Sequence, residues 1–381
     1  MLRAHAELQT PNREIEDQSP RVIAFHLPQF HPIPENDVWW GPGFTEWSNV
    51  ARGRPLFSGH YQPRLPADLG FYDLRLAEAR ARQAELARDY GVHGFCYYHY
   101  WFAGKRLLER PAEDVLASGE PDFPFCLCWA NENWTRRWDG LEQEVLIEQD
   151  YSDADDEAHF RHLCRFFRDP RYIRVNGRPL FLLYRASALP NPPRTLDIWR
   201  RVAEAEGVGE MFLCRVEKSK QDRGDPRGDG FDAGVEFHPR LDELRIPAVR
   251  SSLAWKVSRR LGLTNRAFRD HWVLRYPDVV EAFRDDPPTD YPRFECVFPG
   301  WDNSVRRKKG AVVMIDESPP VYGDWLADRL NRARPIDGEP GFVFVDAWNE
   351  WAEGAHLEPC SRWGRAYLEA THRAVQQTRV R

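Results

Sequence analysis

The sequence predicts an α/β fold, a single (β/α)8 TIM barrel in which eight parallel strands close inside a ring of helices. Short apolar runs rich in β-branched and aromatic residues alternate with helix-like segments along the chain, and this alternation indicates a parallel sheet. The runs number eight, as in a closed barrel. The 381 residues contain no low-complexity run or flexible linker that would divide them. We therefore expect one domain at 21–381, after a polar N-terminal tail at 1–20.

Each predicted strand is a mainly apolar run bounded by turn-forming residues. These runs are Val22–Phe30, Gly94–Phe102, Phe123–Asn131, Pro179–Arg185, Met211–Val216, Ala233–His238, Phe294–Pro299 and Phe342–Trp348. Between them, apolar residues recur at a helical spacing, which predicts helices. The predicted helices are Asp73–Tyr90, Asp153–Phe167, Thr195–Glu206, Tyr322–Arg334 and Arg362–Gln377.

Two long loops interrupt the alternation, one after strand 1 (His31–Leu69) and one after strand 6 (Arg240–Pro292). The second contains a basic stretch, Lys256–Arg269, with helical spacing. Loops of this length in a compact domain are usually lids or inserts. A third segment, Gln221–Gly230, combines charges with Gly and Pro and predicts an exposed loop.

Composition excludes several classes of function. A net charge of −6, from 53 basic and 59 acidic residues spread along the chain, argues against nucleic acid as a partner. No apolar stretch is long enough for a transmembrane segment, and the start lacks the features of a secretory signal, so we expect a cytoplasmic protein. The seven cysteines are odd in number, several lie in predicted strands, and none has metal-ligand spacing. We expect reduced thiols, no metal and no cofactor.

Two carboxylates follow the last predicted strand within Trp348-Asn349-Glu350-Trp351-Ala352-Glu353-Gly354. Residues just past the strands line the active face of an α/β barrel, and paired carboxylates there can divide acid and base roles. A Glu-x-x-Glu pair also occurs on many solvated helix faces. The flanking tryptophans and Asn349 favour function, so Glu350 and Glu353 are the predicted catalytic residues.

Polar and aromatic residues gather at most of the other predicted strand ends, where a core needs no His or Asn. The candidate substrate-binding residues are His26, Gln29, Tyr97, Tyr98, His99, Tyr100, Trp101, Trp129, Asn131, Glu132, Trp134, Glu236, His238, Trp301, Asp302, Asn303, Trp348, Asn349 and Trp351. Simpler explanations remain open. Tyr97–Trp101 can be interior packing, His26 and His99 can be structural histidines, and Asn131 with Glu132 can cap the next segment.

The loop after strand 1 adds Trp40 and Trp47, which alternate with glycines in Trp39–Trp47. Glycines free the backbone of such a loop, and three tryptophans in nine residues are hard to bury against a barrel that already has its core. We expect an outward-facing sugar platform. The basic run Arg306–Lys309, in contrast, is expected to be solvated surface.

Several long motifs resemble the WbsX family of polysaccharide-biosynthesis proteins. They are His26-Leu27-Pro28-Gln29-Phe30-His31-Pro32, Trp40-Gly41-Pro42-Gly43-Phe44-Thr45-Glu46-Trp47, Tyr97-Tyr98-His99-Tyr100-Trp101-Phe102, Asn131-Glu132-Asn133-Trp134, Gly300-Trp301-Asp302-Asn303 and Trp348-Asn349-Glu350-Trp351-Ala352-Glu353. The resemblance spans about residues 20 to 370. The WbsX family is itself similar to the family 99 glycoside hydrolases, barrel enzymes that act as endo-α-mannosidases and endo-α-mannanases.

That resemblance implies an enzyme acting on α-manno- or α-rhamno-configured oligosaccharide or polysaccharide, such as the O-antigen of lipopolysaccharide. Glu350 would take the proton of the sugar 2-hydroxyl, which attacks its own anomeric carbon to give a 1,2-anhydro sugar. Glu353 would protonate the leaving oxygen and later deprotonate the incoming water or hydroxyl. Neither metal nor nucleotide is needed. Relatives are commonly called glycosyltransferases, yet this chain shows no nucleotide-sugar signature such as Asp-x-Asp followed by a doubly wound half.

Two alternatives remain open from the sequence. One is a retaining glycosidase with Glu132 as acid and Glu350 as nucleophile, which requires carboxyl groups about 5 to 5.5 Å apart. The other is a non-catalytic carbohydrate-binding component of polysaccharide assembly, which would keep the aromatic residues without bringing Glu350 and Glu353 into one pocket. The sugar, the linkage, endo or exo action, hydrolysis or transfer, and the oligomeric state do not follow from the sequence.

Overall fold

The structure is a computed structural model that describes residues 19–136, 141–244, 248, 253–261 and 265–379. All but the last two residues of the predicted N-terminal tail lie outside the described residues.

Eight parallel strands form a closed barrel, which confirms the predicted fold class. The strands are β1 (Arg21–His26), β2 (Val92–Phe102), β3 (Phe125–Trp129), β4 (Arg178–Leu183), β5 (Phe212–Glu217), β6 (Ala233–Glu236), β7 (Arg293–Val297) and β8 (Phe342–Val345). Each strand pairs in parallel with the next along the chain, and β8 pairs with β1 to close the ring. Because both faces of each strand are covered, the strands are near-continuous apolar runs, which is why the sequence reveals them.

The helices in chain order are α1 (Pro34–Trp40), α2 (Glu46–Ala51), α3 (Ala77–Asp89), α4 (Arg110–Ser118), α5 (Asp153–Phe167), α6 (Pro192–Ala205), α7 (Leu253–Arg260), α8 (Ala267–Asp270), α9 (Tyr276–Arg284), α10 (Pro319–Arg332) and α11 (Ala366–Arg379). The predicted bounds of α5 are those observed, because Ser152 accepts a hydrogen bond from the Asp155 backbone N–H and fixes the start of the helix. The sequence analysis missed α4, which ends at left-handed Gly119.

Both long loops contain structure of their own. The loop after β1 holds α1 and α2, and the segment after β6 holds α7, α8, α9 and a strand, Trp272–Arg275. That strand pairs in parallel with Val312–Ile315, which follows β7. The remaining short strands are Lys105–Leu107, Trp134–Arg136, Leu141–Ile147, Arg174–Val175, Asn349–Glu350 and Ala355–His356. Among the described residues, no helix combines the length and apolar character needed to cross a bilayer.

Aromatic rings fill the barrel interior. Phe25 stacks on Tyr98 at 5.5 Å between ring centroids and also contacts Phe237 and Phe344. Tyr184 meets Phe237 edge to face at 5.3 Å. These rings close the barrel core, so any ligand site has to lie beyond them at one end of the strands.

Candidate active site

A cleft of about 780 Å³ opens at the carboxyl ends of the barrel strands. Every strand contributes, since the lining residues include Leu27, Tyr100, Ala130, Tyr184, Lys218, Phe237, Trp301 and Asp346, which lie at or just after β1 to β8 in turn. Its carboxyl groups belong to Glu132, Asp242, Asp346, Glu350 and Glu353. This is the face of an α/β barrel that carries catalysis.

One tight turn holds Glu350 and Glu353. Asn349–Glu350 pairs in antiparallel fashion with Ala355–His356, and the 3₁₀ helix Trp351–Glu353 joins the two. Side chains three residues apart eclipse in a 3₁₀ helix, so both carboxyl groups project from the same side of the turn into the cleft. Gly354 ends the turn with φ 69°, and a Cβ there would lie 2.9 Å from both Arg64 Nε and the Asp302 backbone nitrogen.

Asn349 ties this turn to the first strand. Its side chain accepts a hydrogen bond from the Leu27 backbone N–H at 2.7 Å and donates to the Leu27 carbonyl at 3.0 Å. It also donates to the Tyr72 hydroxyl at 3.2 Å. Asn349 was predicted to bind substrate, but the structure buries it in these contacts, where it ties the turn that carries Glu350 to the end of β1.

The tryptophans of the same motif are buried as well and do not line the cleft. Trp351 stacks on His356 with ring centroids 3.8 Å apart and donates to Glu358 at 2.6 Å. Trp348 packs on Phe95. The prediction that Trp348 and Trp351 contact substrate therefore does not fit the structure, because both rings are buried in the core beside the turn.

Burial and mutual repulsion perturb the carboxyl groups of the cleft. Burial, together with the negative charge of Glu353, raises the pKa of Glu350 to about 8, although Arg306 opposes the rise. Burial and the charges of Glu350 and Glu353 also raise the pKa of Asp346 well above its ordinary range. Carboxyl groups this close to one another cannot all ionise near neutral pH, so at least one of them keeps its proton.

Arg306 lies among these carboxylates, contrary to the prediction that the run Arg306–Lys309 is solvated surface. Its side chain is 12% exposed. Nη1 lies 2.8 Å from Glu353, Nη2 lies 3.5 Å from Glu350, and Nε and Nη2 both donate to one oxygen of buried Glu46, at 3.0 and 2.7 Å. A basic run offers no local signal that one member turns inward, which is why the sequence analysis missed it.

Glu132, the acid of the alternative mechanism, lies in the cleft between two cations. It accepts hydrogen bonds from Arg185 at 3.0 Å and Lys218 at 2.7 Å. Lys218 also lies over the Tyr184 ring, 4.2 Å from its centroid. The sequence analysis singled out neither cation.

The cleft brings together about half of the predicted site residues. Those that line it are Gln29, Trp40, Tyr98, Tyr100, Glu132, Trp134, His238, Trp301, Asn303, Glu350 and Glu353. His238 is at the border only, since its imidazole packs against Phe283, Phe298 and Trp325.

The alternation of side chains along β2 explains why three of the other predicted residues lie outside the cleft. Successive side chains of β2 point to opposite faces, so Tyr98 and Tyr100 face the cleft while Tyr97, His99 and Trp101 face the outer helices. His99 Nε2 lies 3.0 Å from His159 Nε2, and Trp101 donates to Asp155, both on α5. The sequence predicted the whole run as substrate-binding, and every second residue is instead in the layer between barrel and helices.

Other predicted residues are held by nearby structure. Trp129 packs on His159 and Trp199, and His26 Nε2 lies 3.2 Å from the Gln83 side-chain oxygen on α3. Asn131 exchanges hydrogen bonds with the Arg185 backbone at 2.8 and 2.9 Å. None of these side chains lines the cleft.

The last three predicted residues outside the cleft are Glu236, Asp302 and Trp47. Glu236 lies in a buried ionic cluster with Arg240 and Arg293 outside the barrel. Asp302 accepts hydrogen bonds from His60 at 2.8 Å and Gln62 at 2.7 Å. Although burial opposes it, the bond from His60 and the charge of Arg64 hold the pKa of Asp302 at about 2.

Trp47 corrects the predicted tryptophan platform. It is 9% exposed, donates to the Tyr72 carbonyl at 2.8 Å and packs on Phe30 and Trp351. Trp40, at the other end of the loop segment, does line the cleft. Helix α2 begins at Glu46 and carries Trp47 inward, so only part of the loop is available to a ligand.

The barrel and its carboxyl-lined cleft define a protein of the (β/α)8 class with a candidate active site at the carboxyl ends of its strands. Within that class the chain belongs to the WbsX glycosyltransferase family, because the family described as Glycosyltransferase WbsX matches residues 22–371. The resemblance drawn from the sequence motifs is thereby confirmed.

The chain also has relatives by sequence, and solved structures share its fold. Two proteins named WxcX, from two strains of Xanthomonas campestris pv. campestris, are 48% and 47% identical over 355 residues, 93% of this chain. The chain spans 49% of their length, about half. A glycoside hydrolase-like protein has a TM-score of 0.56 at 13% identity, covering 97% of both chains. The GH99 endo-alpha-mannosidase from Bacteroides thetaiotaomicron has a TM-score of 0.55 at 14% identity, covering 94% of this chain and 98% of that one.

Proposed function

We propose that the protein cleaves or transfers α-glycosidic bonds of a manno- or rhamno-configured surface polysaccharide, with Glu350 as the base and Glu353 as the acid of the first step. One observation carries this proposal. The two carboxyl groups project from a single turn into one cleft, and the raised pKa of Glu350 means that they retain a proton near neutral pH. A pair that keeps one proton has both a base and an acid available.

The proposed first step needs one ionised and one protonated carboxyl group. Ionised Glu350 removes the proton of the sugar 2-hydroxyl, and the freed oxygen attacks the anomeric carbon of its own ring. The bond to the leaving oxygen breaks as protonated Glu353 donates to that oxygen. The products are a 1,2-anhydro sugar and a free hydroxyl on the leaving chain, with one proton accepted and one delivered.

The second step returns the enzyme to its starting state. Glu353 removes a proton from water or from a sugar hydroxyl, whose oxygen attacks the anomeric carbon. The bond between that carbon and the 2-oxygen breaks, and Glu350 returns its proton to the 2-oxygen. When the acceptor is a sugar hydroxyl, the net reaction is glycosyl transfer, consistent with the name of the family. Aromatic rings at Trp40, Trp134 and Trp301 in the same cleft support a sugar as ligand.

The test is a set of α-linked oligosaccharides of mannose or rhamnose, incubated with the protein and analysed for shortened and lengthened products by mass spectrometry. We expect at least one manno- or rhamno-configured substrate to react, and its α-gluco counterpart, whose 2-hydroxyl is cis to the leaving group, to be inert. Binding of the oligosaccharides without any new product would instead support a carbohydrate-binding component.

A further inference from the structure

The guanidinium of Arg306 is shared unequally between the two candidate catalytic carboxylates. It lies within hydrogen-bond distance of Glu353, at 2.8 Å, but only at ion-pair distance from Glu350, at 3.5 Å. That facing oxygen of Glu350, Oε2, is buried and has no hydrogen-bond partner among the described residues. A nearby cation favours the ionised form of the carboxyl it contacts, so this geometry favours charge on Glu353 and the proton on Glu350.

The proposed reaction requires the opposite arrangement, because Glu350 must be ionised to accept the 2-hydroxyl proton. The difference between the two arrangements is small. Moving Nη2 by less than about 1 Å would bring it within hydrogen-bond distance of Glu350 Oε2. The proton would then pass from Glu350 to Glu353, with no net gain or loss.

Glu46 is the group that keeps Arg306 where it is. Its carboxyl is fully buried on α2, after β1, whereas Arg306 ends the 3₁₀ helix Ser304–Arg306, after β7. Both strands are neighbours of β8. The salt bridge from Glu46 to Arg306 therefore spans the catalytic turn from one side to the other, and one Glu46 oxygen takes two of the guanidinium N–H groups.

We propose that Arg306 is a positioning residue that decides which of Glu350 and Glu353 carries their shared proton, and that Glu46 sets its place between them. The roles of the two carboxyl groups rest on the proposed function; the control of the proton by Arg306 does not. The charged and titratable groups facing the pair are Glu46, Tyr98, Tyr100, Tyr184, Lys218, Arg306 and Asp346. Within the described part of the chain, Arg306 is the one member of this set that lies within ion-pair distance of both carboxyl groups.

Substitutions of Arg306 and Glu46, two charged neighbours of the carboxyl pair, should shift the pKa of Glu350 in opposite directions. Arg306→Gln removes the cation, so Glu350 should titrate at higher pH by about one unit or more. Glu46→Gln removes a negative charge and frees the guanidinium to approach Glu350, so Glu350 should titrate at lower pH. Lys309→Gln removes a positive charge from an exposed position of the same loop and should change nothing. If Arg306 contributed only packing, with its charge screened from the pair, none of these titrations would move.

The experiment is a titration by NMR of the full chain labelled with ¹³C at the glutamate carboxyl carbons. Spectra of Glu350→Gln and Glu353→Gln assign the two signals, and circular dichroism checks the fold of each variant. We expect a protonated Glu350 at neutral pH in the wild type, and the opposed shifts in the two variants. If Arg306→Gln does not fold, Glu46→Gln carries the test through its downward shift.

Identical titration of Glu350 in the wild type, Arg306→Gln and Glu46→Gln would overturn the inference. Because no substrate is needed, the result is separate from the proposed function. If the two variants shift the pKa of Glu350 in opposite directions but the protein cleaves no oligosaccharide, the role of Arg306 is supported and the proposed function is wrong. If the titration of Glu350 is unchanged in both variants but the protein cleaves the oligosaccharide, the role of Arg306 is wrong and the proposed function is supported.

Discussion

Replacing Glu350 by Gln should make the protein more stable at alkaline pH while inactivating it. The folded protein raises the pKa of Glu350 from 4.5 to about 8, with burial the main cause and the charge of Glu353 the second. Between those two values the folded chain holds more protons than the unfolded chain at this site, so stability falls as pH rises through the window. At higher pH the full penalty of a buried charge is present.

The size of the effect follows from the same values. A difference of about 3.5 pH units at ~1.36 kcal/mol per unit sets an upper limit of about 5 kcal/mol. Local relaxation and water entry reduce this penalty, so we expect about 2–4 kcal/mol. Glu350→Gln removes it without leaving Arg306 unpaired, because the guanidinium keeps Glu46 and Glu353.

Urea unfolding at about pH 5 and about pH 9 measures the effect. We expect the free energy of unfolding of Glu350→Gln to gain on that of the wild type as pH rises, and the control Glu204→Gln, at an exposed position of α6, to stay parallel to the wild type. The comparison with wild type cancels buried carboxyl groups that do not interact with Glu350, such as Glu358. Loss of the Glu350 charge also lowers the pKa of Asp346, which adds to the gain in stability at high pH. Equal pH dependence in wild type and Glu350→Gln would refute a raised pKa at this site.

Three further predictions concern the same cleft. Glu350→Gln and Glu353→Gln should each lower turnover by at least ~10² with the fold intact, the scale of a lost general acid or base; wild-type rates in either variant would remove the catalytic assignment. Trp40→Ala should weaken oligosaccharide binding in calorimetry with little change in stability, whereas Trp47→Ala should lower the free energy of unfolding by about 3–5 kcal/mol, because Trp47 is packed in the core. If neither variant loses affinity, the loop does not contact the ligand. Gly354→Ala should lower turnover and stability together, since the added Cβ meets Arg64 and the Asp302 backbone; a Gly354→Ala protein with wild-type activity would show that the turn tolerates displacement.

The barrel could be predicted because its strands are buried on both faces and are therefore near-continuous apolar runs, and because apolar residues recur at a helical spacing between them. The ends of the strands were less certain. The predicted strand Val22–Phe30 ends at His26, two residues before Pro28, which cannot donate to a strand ladder. The predicted strand Phe342–Trp348 ends at Val345, and Asp346 then enters the cleft.

The candidate site could be predicted only as a set of segments. At the end of β2 every residue from Tyr97 to Trp101 is aromatic or histidine, so the sequence shows alternation but not which alternate set faces the cleft. Arg306 had the opposite difficulty. Its neighbours in the sequence are also charged, so nothing distinguishes it locally. Only the packing of α2 against the turns Ser304–Arg306 and Trp351–Glu353 places Glu46 within reach of its guanidinium.

Two substrates that differ only at the 2-position test the central claim most directly: an α-mannoside with an aryl leaving group, and its 2-deoxy analogue. In the proposed mechanism the 2-hydroxyl is the nucleophile that Glu350 activates, so the mannoside should react and the 2-deoxy analogue should be inert, with the same result for a rhamnoside pair. A retaining mechanism with Glu132 and Glu350 does not need the 2-hydroxyl to attack the anomeric carbon. Turnover of the 2-deoxy analogue at a rate comparable with its parent would contradict the account.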